Sequence, residues 1–212
     1  MSPPVTPRGP SLAKFVLLVL LWLPACFAAW HLGAARHASA AGAVAGLWVE
    51  QVVPGLVAGI ERSGVNIVFV TDIEVRPAPG QVAVLVPEVD PRPYTYGLAL
   101  FVALMLASRA RAWKILVGAA LLLPFQGWSI AFDFLAQVGI RQGAEIAAKA
   151  GLWNWRGELV ALGYQLGTLM FPAVVPALLW ALLDHGFIAR LAPAAVFGGA
   201  QTSARDRANL GQ

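Results

Sequence analysis

The feature that most limits what this chain can become is an apolar stretch from Leu12 to Leu32, within which Phe15 to Trp30 carries no charged side chain. A helix rising 1.5 Å per residue over such a stretch reaches across the ~30 Å hydrocarbon core of a bilayer. Three further apolar runs follow. They cover 94–108, 115–138 with Pro124, Gln126 and Gly127 inside it, and 159–183 with Pro172 and Pro176, prolines that neighbouring helices accommodate in a membrane. Composition agrees: 58% of residues are hydrophobic and 12% charged, against roughly 45–50% and 25% in soluble domains. The expected fold is therefore an integral membrane α-helical protein with four transmembrane helices, at 12–32, 94–108, 115–138 and 159–183. A small α+β extracytoplasmic insert is expected between helices 1 and 2.

Orientation follows from where Lys and Arg lie beside the spans. Arg8 and Lys14 precede the first span, Arg109, Arg111 and Lys114 crowd the turn at 109–114, and Arg190, Arg205 and Arg207 follow the fourth. All fall on one side of the membrane. The segments 33–93 and 139–158 mix their basic residues with acids, and so face outward. Residues 1–11 and 184–212 then form cytoplasmic tails, the second partly disordered, and the protein is a multi-pass resident of a bacterial inner membrane. The net charge of +4 belongs to this topology and not to a nucleic-acid surface, because the cations are scattered around the spans. A cleaved leader is the rival reading, since Leu23-Pro24-Ala25-Cys26 imitates a lipobox and Ala38-Ser39-Ala40 a signal-peptidase site. The first apolar run is longer than the usual 7–15 residues of a signal core, which favours an uncleaved anchor.

The insert changes pattern twice. Val49, Val52, Val53, Leu56, Val57 and Ile60 repeat at helical spacing, with Pro54 and Gly55 inside the pattern. From Val65 to Arg76 the period becomes two, with Ile67, Phe69, Thr71 and Ile73 on one face. Pro77 to Gly80 supplies a turn into a second strand at 81–86. A helix laid on this hairpin is the expected arrangement.

Candidate chemistry is sparse. One cysteine and three histidines leave no thiolate zinc site, no disulfide framework and no His-based metal centre. Cys26 has no base at helical spacing that would make it a nucleophile, and a lone Cys in a transmembrane helix is ordinarily a packing residue. Asp133, between Phe132 and Phe134, is the one acid inside an apolar run. Its place near the outer end of the third span favours interfacial solvation or a helix–helix hydrogen bond over proton or substrate handling. Asp184 and His185 are expected to meet water and headgroups. Trp30, Trp113, Trp153 and Trp155 sit where an aromatic belt belongs, and Gly163 with Gly167 gives a spacing for close helix approach, within the bundle or to a partner. No catalytic residue, cofactor, metal or small-molecule substrate is assigned.

Two strings stand out: Trp22-Leu23-Pro24-Ala25-Cys26-Phe27 in the first span, and Asp90-Pro91-Arg92-Pro93-Tyr94-Thr95-Tyr96-Gly97-Leu98 entering the second. In these strings and in its layout the chain resembles the small membrane proteins associated with exosortases, of the exosortase H type. Exosortases are polytopic, transpeptidase-like membrane enzymes that process proteins with C-terminal sorting signals. The resemblance implies a non-enzymatic accessory or scaffold, with the lipid bilayer and a polytopic exosortase as its partners. The Pro-rich string is a stiff elbow, because proline fixes its own φ and restrains its predecessor. Asp90, Pro91, Arg92, Tyr94, Tyr96 and Gly97 are the candidate partner-docking residues. The competing readings are a membrane component of an integrating conjugative element, and a small intramembrane enzyme or transporter using Cys26 or Asp133.

Overall fold

A computed structural model describes residues 11–76 and 80–191. The N-terminal tail, the turn residues Pro77 to Pro79 and most of the C-terminal tail, on which several sequence expectations fall, lie outside the described residues.

Helix α1 runs unbroken from Leu12 to Val52, 41 residues with Pro24 inside it. At 1.5 Å per residue it is about 60 Å long, twice the hydrocarbon core. It therefore does not stop at Leu32. Residues 33–48 are rich in alanine, the strongest helix former, and Ala34, Ala38, Ala41, Gly42, Ala45 and Val49 make a buried face of small side chains along them. Helix ends at Val52 because Pro54 follows, disfavouring helical backbone at Val53, and Gly55 turns with φ +73° while its N–H donates to Glu50 Oε2 at 3.1 Å.

The helix expected over 49–60 is corrected here. Only its first turn is helical, and beyond Gly55 the chain enters β1 (Val57–Ser63), which pairs antiparallel with β2 (Asn66–Thr71). The hairpin closes on Gly64 and Val65, and Gly64 takes φ +65°, as a first central glycine does in the tight turns that match strand twist. β5 (Glu88–Val89) pairs with the other edge of β2, giving the order β1-β2-β5. The hairpin expected across residues 77–80 exists only as a two-residue ladder, Glu74–Val75 (β3) against Ala83–Val84 (β4). The alternation on β2 is as expected: Ile67, Phe69 and Thr71 are buried, and Ile73 continues that face.

After a single turn, α2 (Arg92–Thr95), comes α3 (Gly97–Ala107). Helix α4 (Ala112–Ala136) passes directly into a π turn at Gln137–Arg141, and a short α5 (Ala144–Lys149) follows. The last long helix consists of α6 (Trp155–Gln165), a second π turn at Leu166–Met170, and α7 (Phe171–Leu183). Three helices, Leu12–Val52, Ala112–Arg141 and Trp155–Leu183, are long and apolar enough to cross a membrane. The apolar helix at Arg92–Ala107, expected as the second span, is shorter and rises only about 24 Å at 1.5 Å per residue.

One core joins the sheet to the helices. Ala41, Ala45 and Val49 of α1, Ile67 and Phe69 of β2, Val89 of β5, and Ile130, Phe134 and Leu135 of α4 pack into a single cluster, and Phe69 stacks on Phe134 with ring centroids 4.3 Å apart. The insert is thus not a separate helix on a hairpin. Its helix is the C-terminal half of α1, and α4 underlies the sheet. Close approach depends on missing side chains: a Cβ at Gly127 would lie 2.6 Å from Val44 Cγ1 and 3.0 Å from the Ala45 nitrogen, one at Gly118 would enter the Phe101 ring, and one at Gly163 the Phe132 ring. Gly163 of α6 and Gly167 of the π turn that follows it therefore serve packing within the bundle, against Phe132 and Ser129 of α4.

These contacts make opposite predictions for two glycines. Gly118→Val should lower stability by about 1–3 kcal/mol, the usual cost of overpacking. Gly33→Ala, in a helix and with open space around it, should be neutral or stabilising by up to about 1 kcal/mol. Thermal unfolding in detergent, followed by tryptophan fluorescence, distinguishes the two.

Candidate functional site

The elbow is built around the stiff residues that the sequence singled out. At its apex the Arg92 backbone N–H donates to Asp90 Oδ1 at 3.0 Å, while the guanidinium donates from Nε and Nη2 to both carboxylate oxygens at 2.8–3.1 Å. The guanidinium holds the Asp90 carboxyl below its ordinary 3.8. Pro91 is buried, and its carbonyl accepts from the Tyr94 and Thr95 N–H groups and from the Thr95 hydroxyl. These bonds form the single turn of α2. Tyr94 is buried as well, whereas Arg92 and Pro93 face outward. Gly97 sits directly on the Pro172 carbonyl of α7, and a Cβ there would also come within 2.8 Å of Pro176 Cγ. Pro172 lies four residues before Pro176, which has no N–H to offer that carbonyl, so a kinked helix and a glycine meet at this point.

Of the six elbow residues, Pro91, Tyr94 and Gly97 are therefore committed to internal packing, and Asp90 and Arg92 remain reachable. Tyr96 lies between these extremes. Its ring stacks on Phe27 of α1 at 6.4 Å with an interplanar angle of 22°. That contact brings together two strings lying far apart in the sequence. Cys26 packs with Ala99 and Ala103 of α3, and the strings line one groove of about 460 Å³ whose walls include Trp22, Cys26, Trp30, Leu98 and Ala99. The groove is apolar. His37 closes one end of it and hydrogen-bonds Gln126 of α4, Nε2 to Oε1 at 2.7 Å.

Beneath the elbow lies a polar cluster. Asp133 is buried and accepts from Arg141 Nη2 at 3.1 Å and from Gln137 Nε2 at 3.3 Å. Gln137 also donates to the Glu88 carbonyl of β5 at 3.2 Å, and Arg141 reaches the Tyr164 hydroxyl at 3.2 Å while its guanidinium lies over the Tyr164 ring. The cluster ties α4, the sheet and α6 together. Both partners of Asp133 belong to the π turn at 137–141, a helical irregularity that recurs at functional sites and leaves no periodic mark in sequence.

Asp133 thus meets neither interfacial water nor a simple helix–helix partner; it is an internally compensated charge, which is how acids persist in apolar surroundings. Asp184 is likewise buried and pairs with Lys114 at 3.2 Å, correcting the expectation of water and headgroups, while His185 is exposed. The tryptophans divide. Trp113, Trp153 and Trp155 are exposed as anchors would be, but the indole N–H groups of Trp48, Trp128 and Trp180 donate to Pro124 O, Gly163 O and Ser108 Oγ inside the bundle. Cys26 is a buried thiol with alanines for neighbours. Among the described residues no group of three or more His, Cys, Asp or Glu could hold a metal ion. The groove and the pairings of His37 with Gln126 and of Asp133 with Arg141 were not read from sequence. Two signals pointed toward them, Gln126 and Asp133 as polar residues stranded in an apolar run.

Comparison with known proteins adds one positive finding. The family described as exosortase H-associated membrane protein matches residues 9–187. No curated protein and no solved structure matches the chain.

The cluster predicts graded effects. Asp133→Ala strands Gln137 and Arg141 and should lower stability by about 1–3 kcal/mol, the usual cost of an orphaned buried partner. Asp133→Asn keeps an acceptor oxygen for one of the two donors, which bond different carboxylate oxygens, and should lose less. Melting temperatures of the two purified variants, compared at one detergent concentration, check the order.

Proposed function

The chain belongs to the exosortase H-associated membrane proteins, and on that premise we propose that it is a non-enzymatic accessory or scaffold of the bacterial inner membrane that engages an exosortase. The observation carrying this reading is the family match over residues 9–187, described by association with exosortase H and by the membrane. The packing supports it: among the described residues the buried acids Asp133 and Asp184 are both paired internally, so neither stands as an unpaired proton relay.

The docking surface runs from the elbow to the groove. Asp90 and Arg92 present charge at its outer end, Tyr96 and Phe27 fix the register of α3 against α1, and the apolar groove receives a membrane-embedded part of the partner. Pro91, Tyr94 and Gly97 act by holding this geometry. In this reading the chain has four spans, with both termini in the cytoplasm and the sheet outside, and Arg92–Ala107, short for a span, is accommodated by local thinning of the bilayer, which costs only fractions of a kcal/mol per Å of mismatch.

Two measurements test this reading. Reporter fusions after residues 75 and 150 should report an external location, and fusions after residue 110 and at the C-terminus an internal one; an internal signal at 75 overturns the topology. Photo-cross-linkers at Arg92 and Trp22 should capture a co-expressed exosortase, and one at Leu116, exposed on α4, should not. Equal capture at Leu116 removes the docking surface. Cys26→Ala should leave sorting intact, and loss of sorting with normal protein level would return the enzymatic reading.

A further inference from the structure

At the opposite end of the bundle from the elbow, where α1 begins and α3 ends, a second cavity of about 220 Å³ is lined by Ser11, Lys14, Phe15, Ser108, Arg109 and Phe187, among others. Its floor is aromatic. Phe15 is buried with Phe187 and Leu191 and stacks on Trp180 with centroids 5.2 Å apart. Its rim is cationic, and among the described residues neither Lys14 nor Arg109 pairs with a carboxylate. Asp184, a nearby acid in the chain's course, is committed to Lys114.

Arg109 is unusual in its backbone. The Ala110 N–H bonds the Met105 carbonyl and the Arg109 N–H the Leu106 carbonyl, at 2.9 and 3.0 Å, the paired bonds of a helix C-terminus whose next residue adopts left-handed backbone. Glycine normally fills that position because it alone escapes the steric cost of a Cβ. Arginine fills it here, at φ +56°. A strained residue retained beside a cavity points to a demand on its side chain.

We propose that this cavity binds the phosphate of an anionic phospholipid, with Arg109 and Lys14 on the phosphate oxygens and the lipid's glycerol and upper acyl chain over Phe15 and Phe187. Guanidinium and ammonium groups form strong charge-assisted bonds with phosphate, and basic pockets between membrane helices recognise anionic headgroups. Depth selects a lipid over a soluble anion. Lys14 immediately precedes the charge-free run of α1, and Arg109 directly follows the apolar α3, so both cations lie at the level of the headgroups, and the aromatic floor below them demands an apolar continuation of the ligand.

The test uses the full chain in an uncharged detergent, titrated with phosphatidylglycerol, with phosphatidylcholine of the same acyl chains, or with inorganic phosphate, and followed by its melting temperature. Phosphatidylglycerol should raise the melting temperature and phosphatidylcholine should not. Arg109→Gly and Lys14→Gln should each shift the phosphatidylglycerol midpoint about tenfold upward, the loss of one charge-assisted contact. Arg111→Gln, outside the cavity lining, should keep the wild-type midpoint. Arg109→Gly without lipid should melt no lower than wild type, since glycine relieves the backbone. An equal response to phosphatidylcholine, an unchanged midpoint in Arg109→Gly, or an equal loss in Arg111→Gln overturns the proposal. A full response to inorganic phosphate alone assigns the cavity to a soluble anion and overturns the lipid as its occupant.

Discussion

The packing of the sheet against the helices in this protein hangs on the small-residue face of α1. Ala41, Gly42 and Ala45 let α4 and the sheet approach the helix backbone closely, with Ile67 against Gly42 and Val44 against Gly127. Within a bilayer, where apolar burial against lipid gives little reason for helices to associate, such close contact supplies the dispersion energy that holds them. The same face also receives Ile67 of the sheet on Gly42, so one sequence pattern serves both helix–helix and helix–sheet packing without a break in the backbone.

The sheet is too small to stand alone. Three strands, one of them two residues long, bury one face only because Phe134 and Ile130 of α4 continue the core beneath Phe69 and Ile67. This is why the polar cluster sits where it does. Gln137 carries the hydrogen-bonding capacity of α4 to the Glu88 carbonyl, and Arg141 carries it to Tyr164, so the seam between sheet and bundle is bridged by paired polar groups.

The sequence made the apolar runs, the alternation along β2 and the stiff elbow legible, because each depends on local chemistry: charge-free length, period two, and proline. The continuity of α1 beyond Leu32 was not, since alanine and glycine read equally as a linker when nothing shows what they pack against. Pro54 is the instructive case. Its neighbours keep a helical spacing of valines and leucines on both sides, yet the missing N–H and the left-handed Gly55 divide that pattern into a helix end and a strand. The elbow's residues were singled out together for their stiffness, but which of them face inward depends on Pro172 and Phe27, contacts that lie outside local sequence. The Arg141 partner of Asp133, eight residues on, was hidden for a further reason: a π turn changes the register by which residues along a helix come to face one another.

The continuity of α1 also has a mechanical meaning. A rod long enough to cross a bilayer that also forms one wall of the core beneath the sheet has no loop in which to dissipate a change of tilt. An inclination of its buried half by 10°, of the order of ordinary variation in membrane-helix tilt, would swing a point 30 Å further along by about 5 Å. The sheet, fastened to the C-terminal half of α1 by Ile67 on Gly42, has to travel with it, so a lean imposed on one half of the rod reappears as a displacement of the strands.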